Sequence, residues 1–195
     1  HVTDLAMAEK EARFSSLARD LAARFWPGPL TLVLPRAPTS SASELATAGL
    51  ETIALRIPKN PAATGLISRV GRPLAAPSAN PSERLSPTSA DHVEALLGMS
   101  IDLILDGGPT SAGLESTIIM PTHEGVFLLR PGPLSRAEIE SVTGPLAALH
   151  NDAAILAPGM LKRHYAPRAR LRLDAVDAAP GEAFLGFGEP PGGVV

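Results

Sequence analysis

The sequence contains no cysteine and few aromatic residues, and both shortages limit its possible functions. Without cysteine, the chain cannot form a disulfide, a thiolate metal site or a cysteine nucleophile. One tryptophan and one tyrosine leave little material for a platform on which nucleic-acid bases could stack. The five histidines lack metal-ligand spacing, and the H-E-x-x-H signature is absent. We therefore expect no metal ligand from the protein's own side chains.

Long apolar runs and a surplus of charge of either sign are missing as well. No stretch approaches the length of a membrane span, and no signal peptide is visible. The formal net charge of -3 gives no sign of a surface that coats nucleic acid. A cytoplasmic protein with no membrane partner is the expectation, and a local basic cleft stays compatible with that net charge.

The chain does contain 20 prolines and 17 glycines, spread without a period, between alternating strand-like and helix-like segments. This alternation predicts an α/β fold, with a twisted open sheet of mixed parallel and antiparallel strands and flanking helices. We expect helices over 4–25, 61–70, 88–98 and 136–142, and strands over 30–34, 52–57, 74–77, 101–105, 116–120 and 126–130.

Ser78 and Asn80 form a polar pair directly after an apolar run. Residues two apart on an extended chain point the same way, so the hydroxyl and the amide can lie side by side. Pro77 and Pro81 stiffen the chain on both sides. Strand ends are where open α/β sheets bind ligands, which favours a binding role. An ordinary turn is the alternative, since proline, serine and asparagine all form turns.

Two arginines and two serines stand at other strand ends. Arg56 interrupts an apolar strand, so its charge must meet an anion or reach solvent along an edge. Arg130 precedes a Pro-Gly-Pro turn, where it could grip a phosphate or carboxylate or simply lie on the surface. Ser86 could equally cap a helix, whereas Ser116 follows a glycine turn that would let backbone approach a ligand. G-x-S-x-G, P-loop and G-x-G-x-x-G signatures are absent, so a covalent nucleophile is unsupported.

Seven short runs occur in order along the first three quarters of the chain: 25–31, 52–58, 76–80, 86–88, 106–109, 115–118 and 129–132. Together they resemble the YrdC-like family of threonylcarbamoyl-AMP synthases. The runs 158–160 and 164–167 resemble the linker of that family's longer branch. The resemblance implies a catalytic domain over 1–148, a linker over 149–170 and the start of a Rossmann-like domain over 171–195. It also implies that segments are missing at both ends.

The resemblance implies an enzyme, a nucleotidyltransferase. It would convert L-threonine, bicarbonate and ATP into L-threonylcarbamoyladenylate and pyrophosphate. A downstream threonylcarbamoyl-transferase would then modify adenosine 37 of tRNAs that read ANN codons. Magnesium would arrive with ATP, and no organic cofactor is implied.

The same resemblance implies roles for individual residues. The ATP contacts would be Thr52, Ser78, Asn80, Ser86, Arg130 and Tyr165, the last as a lid residue. The threonine pocket would contain His1, Arg56, Ala76 and Ser116. Positioning by Ser78, Asn80 and Arg130 would take the place of nucleophilic catalysis.

One element of the family is absent, the K-x-R pair that lies upstream of the position matched by His1. We therefore expect this chain to bind nucleotide poorly and to turn over little. Three alternatives stay open: a module that binds double-stranded RNA weakly, the carbamoyl-transfer domain of a hydrogenase maturation protein, and a purely structural fragment.

Overall fold

The structure, a computed structural model, describes residues 1–148 and 170–185. The chain divides into two units, which these two ranges represent. The shorter range contains no helix or strand and is held by Arg172, which pairs with Asp177 and Glu182. The predicted linker, apart from its last residue, lies outside the described ranges, as does Tyr165, and the predicted domain bounds stay predictions.

Four strands of the longer range form one sheet: β1 (Leu30–Pro35), β2 (Thr52–Leu55), β3 (Thr117–Pro121) and β4 (Val126–Arg130). Their order is β2-β1-β3-β4. β1 runs antiparallel to β2 and parallel to β3, and β3 runs antiparallel to β4. The predicted mixed, open α/β sheet is therefore confirmed.

Alternation along β1 gives the sheet two different faces. Leu30, Leu32 and Leu34 are buried against helices on one side, which we call the helix-covered face. Ile53 and Leu55 of β2 join that face, as their spacing predicts. The opposite face contains a smaller apolar cluster of buried Val33, Ile118 and Leu129. Thr31 lies between Leu30 and Leu32, so it belongs to this opposite face.

Five helices accompany the sheet in the described part: α1 (Leu5–Glu11), α2 (Ser16–Phe25), α3 (Pro61–Val70), α4 (Ala90–Leu97) and α5 (Arg136–Thr143), with a short 3-10 turn at Gly98–Ser100. Buried side chains of α1, α2 and α5 pack in the core of the helix-covered face. No helix in 1–148 or 170–185 is long and apolar enough to cross a bilayer.

The prediction of a single helix over 4–25 is wrong, because two helices share that stretch. Ala12 leaves the helix and forms an isolated bridge with Arg36, which is a pairing distant in sequence. Ser15 then starts α2 by accepting a hydrogen bond from the Ala18 N–H at 3.1 Å. At the other end, Asp4 rather than Thr3 caps α1, accepting from the Met7 N–H at 2.7 Å.

The predicted strands over 74–77 and 101–105 do not form. In the first, proline at 73 and 77 removes backbone donors, and Leu74 alone exchanges backbone hydrogen bonds, with His1. In the second, Leu103 and Leu105 are 81% and 58% exposed, and no described strand pairs with the run. Apolar alternation alone cannot form a strand without a partner edge. The predicted strand over 52–57 also ends earlier, at Leu55.

Candidate functional site

Strand register brings three of the predicted site residues to one end of the sheet. Leu30 pairs with Thr117, and Ile118 pairs with Arg130. Leu32 pairs with Leu55 on the antiparallel strand, so Arg56 lies level with the start of β1. Arg56, Ser116 and Arg130 therefore lie around the amino-terminal ends of the parallel strands β1 and β3.

Ser116 is the centre of this group. Its hydroxyl lies 2.7 Å from that of Thr31, and both residues are buried. The Arg130 guanidinium donates from Nη2 to the Ser116 hydroxyl at 3.1 Å. Nε and Nη2 of Arg130 also donate to the Ser116 carbonyl oxygen at 3.1 and 3.0 Å. These contacts fix the arginine in one orientation at the end of β4.

Glu115 links the Arg130 side chain to the loop before α4. Its Oε2 forms an ion pair with Arg130 Nη1. Its Oε1 accepts a hydrogen bond from the Ser86 hydroxyl at 2.7 Å. The Arg130 and Glu115 side chains are 15% and 19% exposed, so water screens this pair less than a surface pair.

Gly132 explains how the turn after β4 comes so close to the start of β3. A Cβ at this position would lie 2.4 Å from the Glu115 carbonyl oxygen and 2.5 Å from the Thr117 nitrogen. The buried Thr117 hydroxyl continues the contact, donating to the Leu134 carbonyl oxygen at 3.1 Å and accepting from the Leu134 N–H at 3.0 Å. Glycine is therefore required here to bring the turn against Glu115 and Ser116.

Arg56 lies on the opposite face beside the turn that precedes β1. Its Nε donates to the Gly28 carbonyl oxygen at 2.8 Å. Gly28 is itself pressed against Phe25, because a Cβ would lie 2.3 Å from the Phe25 carbonyl oxygen. Burial, and then the positive charge of Arg130, lower the pKa of Arg56. Arg130 is paired with Glu115, whereas the charged group of Arg56 is held by a neutral carbonyl oxygen, which favours an anionic ligand beside Arg56.

A cleft of about 1220 Å³ lies beside Arg130 at this end of the sheet. Its lining comes from the start of α3 and from 78–79, 85–90, 104–108, 113–115 and 130–131. Ser78 is exposed here, and Ser86 lines the cleft next to Glu115, to which its hydroxyl donates. The cleft therefore joins the serines of the loop region to Arg130 at the sheet end.

Comparisons with known proteins agree with this architecture. The profile of the Sua5/YciO/YrdC family, described as "Telomere recombination", matches residues 1–132. The chain belongs to this family. A second profile, described as "Threonylcarbamoyl-AMP synthase, C-terminal domain", matches residues 134–185. The family resemblance predicted from the sequence motifs is confirmed.

Two relatives in this family carry the name threonylcarbamoyl-AMP synthase. The protein of Bacillus subtilis (strain 168) is 43% identical over 181 residues, which is 89% of this chain and 51% of that protein. The protein of Pyrococcus abyssi (strain GE5 / Orsay) is 47% identical over 159 residues, which is 79% of this chain and 46% of that protein. The chain thus spans about half the length of the curated relatives it matches.

Two crystal structures of the family have the same fold. P. abyssi Sua5 in complex with L-threonine superposes with a TM-score of 0.79 at 45% identity, covering 87% of this chain and 51% of that one. E. coli YciO superposes with a TM-score of 0.61 at 23% identity, covering 70% of this chain and 66% of that one. The second likeness is one of fold alone.

Not all residues implied by the family motifs lie together. Thr52 pairs with Pro35 at the far end of β1, four residues before Arg56, or about 13 Å along an extended strand. His1 lies nearer, since the adjacent Val2 N–H donates to the Arg56 carbonyl oxygen at 3.0 Å. Ala76 is exposed in the segment between His1's partner Leu74 and Ser78. The structure therefore brings His1 towards Arg56 and leaves Thr52 apart.

Asn80 of the family's S-x-N signature organises a turn. Its Nδ2 donates to the carbonyl oxygens of Pro81 and Arg84, each at 3.0 Å. Its Oδ1 is buried and has no hydrogen-bond partner among the described residues. Asn80 is not among the residues that line the cleft, so it shapes the loop that follows Ser78.

Two residues of this site were not singled out from the sequence, Thr31 and Glu115. Thr31 is a hydroxyl within the apolar strand sequence Leu-Thr-Leu-Val-Leu, and that polar interruption was the available signal. Glu115 precedes Ser116, yet its partner Ser86 is 29 residues away, so no local pattern reveals the contact. In 1–148 and 170–185, no group of three or more His, Cys, Asp or Glu side chains could hold a metal ion.

Proposed function

We propose that this chain carries part of a threonylcarbamoyl-AMP synthase. The reaction would join L-threonine, bicarbonate and ATP into L-threonylcarbamoyladenylate, with release of pyrophosphate. The observation that carries the proposal is the meeting of Arg56, Ser116 and Arg130 at one end of the sheet, beside a cleft lined by Ser78 and Ser86. Both relatives with that name share this region of the chain.

Arg56 would bind the carboxylate of threonine. Its Nε is held by the Gly28 carbonyl oxygen, which leaves the terminal nitrogens as a fork of suitable geometry for a carboxylate. The Ser116 hydroxyl, His1 and the backbone around Ala76 would complete the pocket. The relative solved with L-threonine has the same fold, which supports this assignment.

ATP would occupy the cleft, with Arg130, Ser78 and Ser86 as its contacts. Asn80 would act through the loop it closes, and a lid role for Tyr165 is part of the proposal. Thr52, at the other end of β1, would contact a part of ATP distant from Arg56. Magnesium would arrive bound to the phosphates of ATP. Two carboxylates that line the cleft already have protein partners: Asp106 accepts from the Gly108 N–H, and Glu115 pairs with Arg130.

The chemistry needs no protein nucleophile. The threonine amine would attack the carbon of bicarbonate, and loss of water would give a carbamate. A carbamate oxygen would then attack the α-phosphorus of ATP, forming one P–O bond as the bond to the β-phosphate oxygen breaks and pyrophosphate leaves. Arg56 and Arg130 would hold the reactants and stabilise the developing negative charge.

The product would supply a threonylcarbamoyl-transferase that modifies adenosine 37 of ANN-decoding tRNA. A cytoplasmic location belongs to this proposal, because the substrates and the tRNA are found there.

The test is pyrophosphate release, measured with and without threonine and bicarbonate. It should be run on the chain extended upstream by a K-x-R segment from a relative, and on the Arg56→Ala variant of that protein. We expect release that depends on both substrates, and its loss in the variant. Release that needs neither threonine nor bicarbonate, or full activity in the variant, would contradict the proposal. Salt-sensitive RNA binding without any pyrophosphate release would favour the RNA-binding alternative instead.

A further inference from the structure

We propose that Glu115 is a positioning residue for the nucleotide, holding Ser86 and Arg130 in place across the cleft. This inference rests on the proposed function, because it assigns both partners to ATP. Ser86 and Arg130, both proposed to contact ATP, come from parts of the chain far apart in sequence. The Glu115 carboxylate bonds to both of them.

The geometry gives each carboxylate oxygen a separate partner. Oε1 accepts the Ser86 hydroxyl at 2.7 Å, and Oε2 pairs with Arg130 Nη1. Ser86 belongs to the loop before α4, whereas Arg130 ends β4. Glu115 precedes β3 and is fixed there, because Gly132 packs on its carbonyl oxygen. The Glu115 carboxylate therefore ties the loop before α4 and the end of β4 to the start of β3.

The bond to Glu115 also decides what Ser86 can offer a ligand. A serine hydroxyl has one hydrogen to donate and two lone pairs that accept. Because the hydrogen is directed to Glu115, Ser86 presents lone pairs to the cleft. It would therefore accept a hydrogen bond from a hydroxyl or an amine of the nucleoside part of ATP. A phosphate oxygen, which only accepts, would suit Arg130 instead.

A test can separate positioning from simple charge, because the two roles predict opposite changes in ATP affinity. Glu115→Gln removes a negative charge next to the proposed phosphate contact. If Glu115 acted only through its charge, its removal would strengthen the binding of an anion. If it acts by positioning, Glu115→Ala, which takes the shared acceptor away from Ser86 and Arg130, weakens ATP binding despite the gain in positive charge. The amide of Glu115→Gln can keep its oxygen on Arg130 and donate to the Ser86 hydroxyl, so it should weaken ATP binding less.

ATP and L-threonine affinities are measured by titration for the upstream-extended chain and for its Glu115→Gln, Glu115→Ala and control Glu9→Gln variants. The control breaks the ion pair of Glu9 with Arg19, at 2.7 Å on the surface of α1. We expect ATP affinity to fall about tenfold in Glu115→Ala, the loss of one charge-assisted hydrogen bond, and to fall less in Glu115→Gln. Threonine affinity and the control should be unchanged. Tighter ATP binding, or equal losses for ATP and threonine, would overturn the inference.

A second measurement does not depend on nucleotide binding. Rotation about the Nε–Cζ bond of Arg130 can be followed by NMR exchange of its guanidinium, with Arg130→Lys to assign the signals. We expect slow rotation in the unmodified chain and faster rotation in Glu115→Gln. An unchanged rotation rate would overturn the inference. If the upstream-extended chain binds neither threonine nor ATP, the proposed function fails, and the rotation rate still decides whether Glu115 holds Arg130.

Discussion

Arg56 and Arg130 approach each other at the end of the sheet where Ser116 precedes β3. The positive charge of Arg130 acts together with burial to lower the pKa of Arg56. The positive charge of Arg130 disfavours the charged form of Arg56, and an anion bound to Arg56 would favour it. The same electrostatics therefore favours an anionic ligand beside Arg56.

The first prediction concerns Arg56. Arg56→Ala should weaken L-threonine binding by at least about tenfold, since it removes a charge-assisted contact to the carboxylate. The melting temperature should change little, because relief from the nearby charge of Arg130 is offset by loss of the hydrogen bond to the Gly28 carbonyl oxygen. Isothermal titration and thermal unfolding measure the two effects. Arg19→Ala, on the surface of α2, is the matched control and should change neither quantity.

The second prediction concerns the close approach at Gly132. Gly132→Ala would place a Cβ 2.4 Å from the Glu115 carbonyl oxygen, so the turn must move away from β3. We expect a loss of about 1–3 kcal/mol in the free energy of unfolding. Gly65→Ala in α3 is the control, because nothing lies within 4 Å of its Cβ. There we expect a gain of about 0.5–1 kcal/mol. Equal effects in urea titrations of the two variants would contradict the tight packing.

Much of the fold could be predicted because its signals are local. β1, α3 and the antiparallel pair β3–β4 each carry their own periodicity and stop signals, and they form where expected. The single helix over 4–25 could not be rejected in this way. Its break depends on the bridge from Ala12 to Arg36, which joins residues distant in sequence.

The site shows the same division. Arg56, Ser116 and Arg130 were found because each is a polar residue at the end of an apolar strand, a pattern visible in sequence. The contact of Glu115 with Ser86 spans 29 residues and depends on how the loop before α4 folds back. The family resemblance also implied an ATP contact for Thr52, which the register of β2 against β1 puts at the other end of the sheet from Arg56; that contact stays a prediction.

The third prediction is a dependence of stability on acid through Glu11. This carboxylate is buried and accepts hydrogen bonds from Ser40, Ser41 and the Ala42 N–H, at 2.8 to 3.3 Å. Burial by itself would raise the pKa of Glu11, but these hydrogen bonds outweigh it and lower the pKa below its usual 4.5. The unfolded chain then binds the proton more tightly, so stability is full above about pH 4.5 and is lost as pH falls through the lowered pKa.

Glu11→Gln should remove that dependence, because the amide does not titrate. At pH 7 it should cost about 1–3 kcal/mol, since charge-assisted hydrogen bonds to the carboxylate are replaced by weaker ones to a neutral amide. Urea unfolding between pH 7 and pH 3 measures both effects. Glu9→Gln, on the same helix with an exposed ion pair, should change stability by less than about 1 kcal/mol. An acid limb equally steep in Glu11→Gln and the parent chain would rule out Glu11 as its source.

The last prediction concerns the turn that Asn80 closes. Its amide nitrogen donates to two carbonyl oxygens, of Pro81 and Arg84, each at 3.0 Å. Asn80→Asp would put a carboxylate, which only accepts, against these acceptors. We expect loss of about 1–3 kcal/mol of local stability, seen as faster hydrogen exchange at the Arg84 amide, which donates to the Pro81 carbonyl oxygen at 3.2 Å.

Ser82→Asp is the matched control, because it adds the same charge to the same turn and keeps the amide. It should leave the exchange of the Arg84 amide close to that of the parent. Lowering the pH should partly restore protection in Asn80→Asp, since a protonated carboxyl regains one donor. Equal exchange in the two variants would mean that charge, not the lost donor, opens the turn, and the shaping role of Asn80 behind Ser78 would then be wrong.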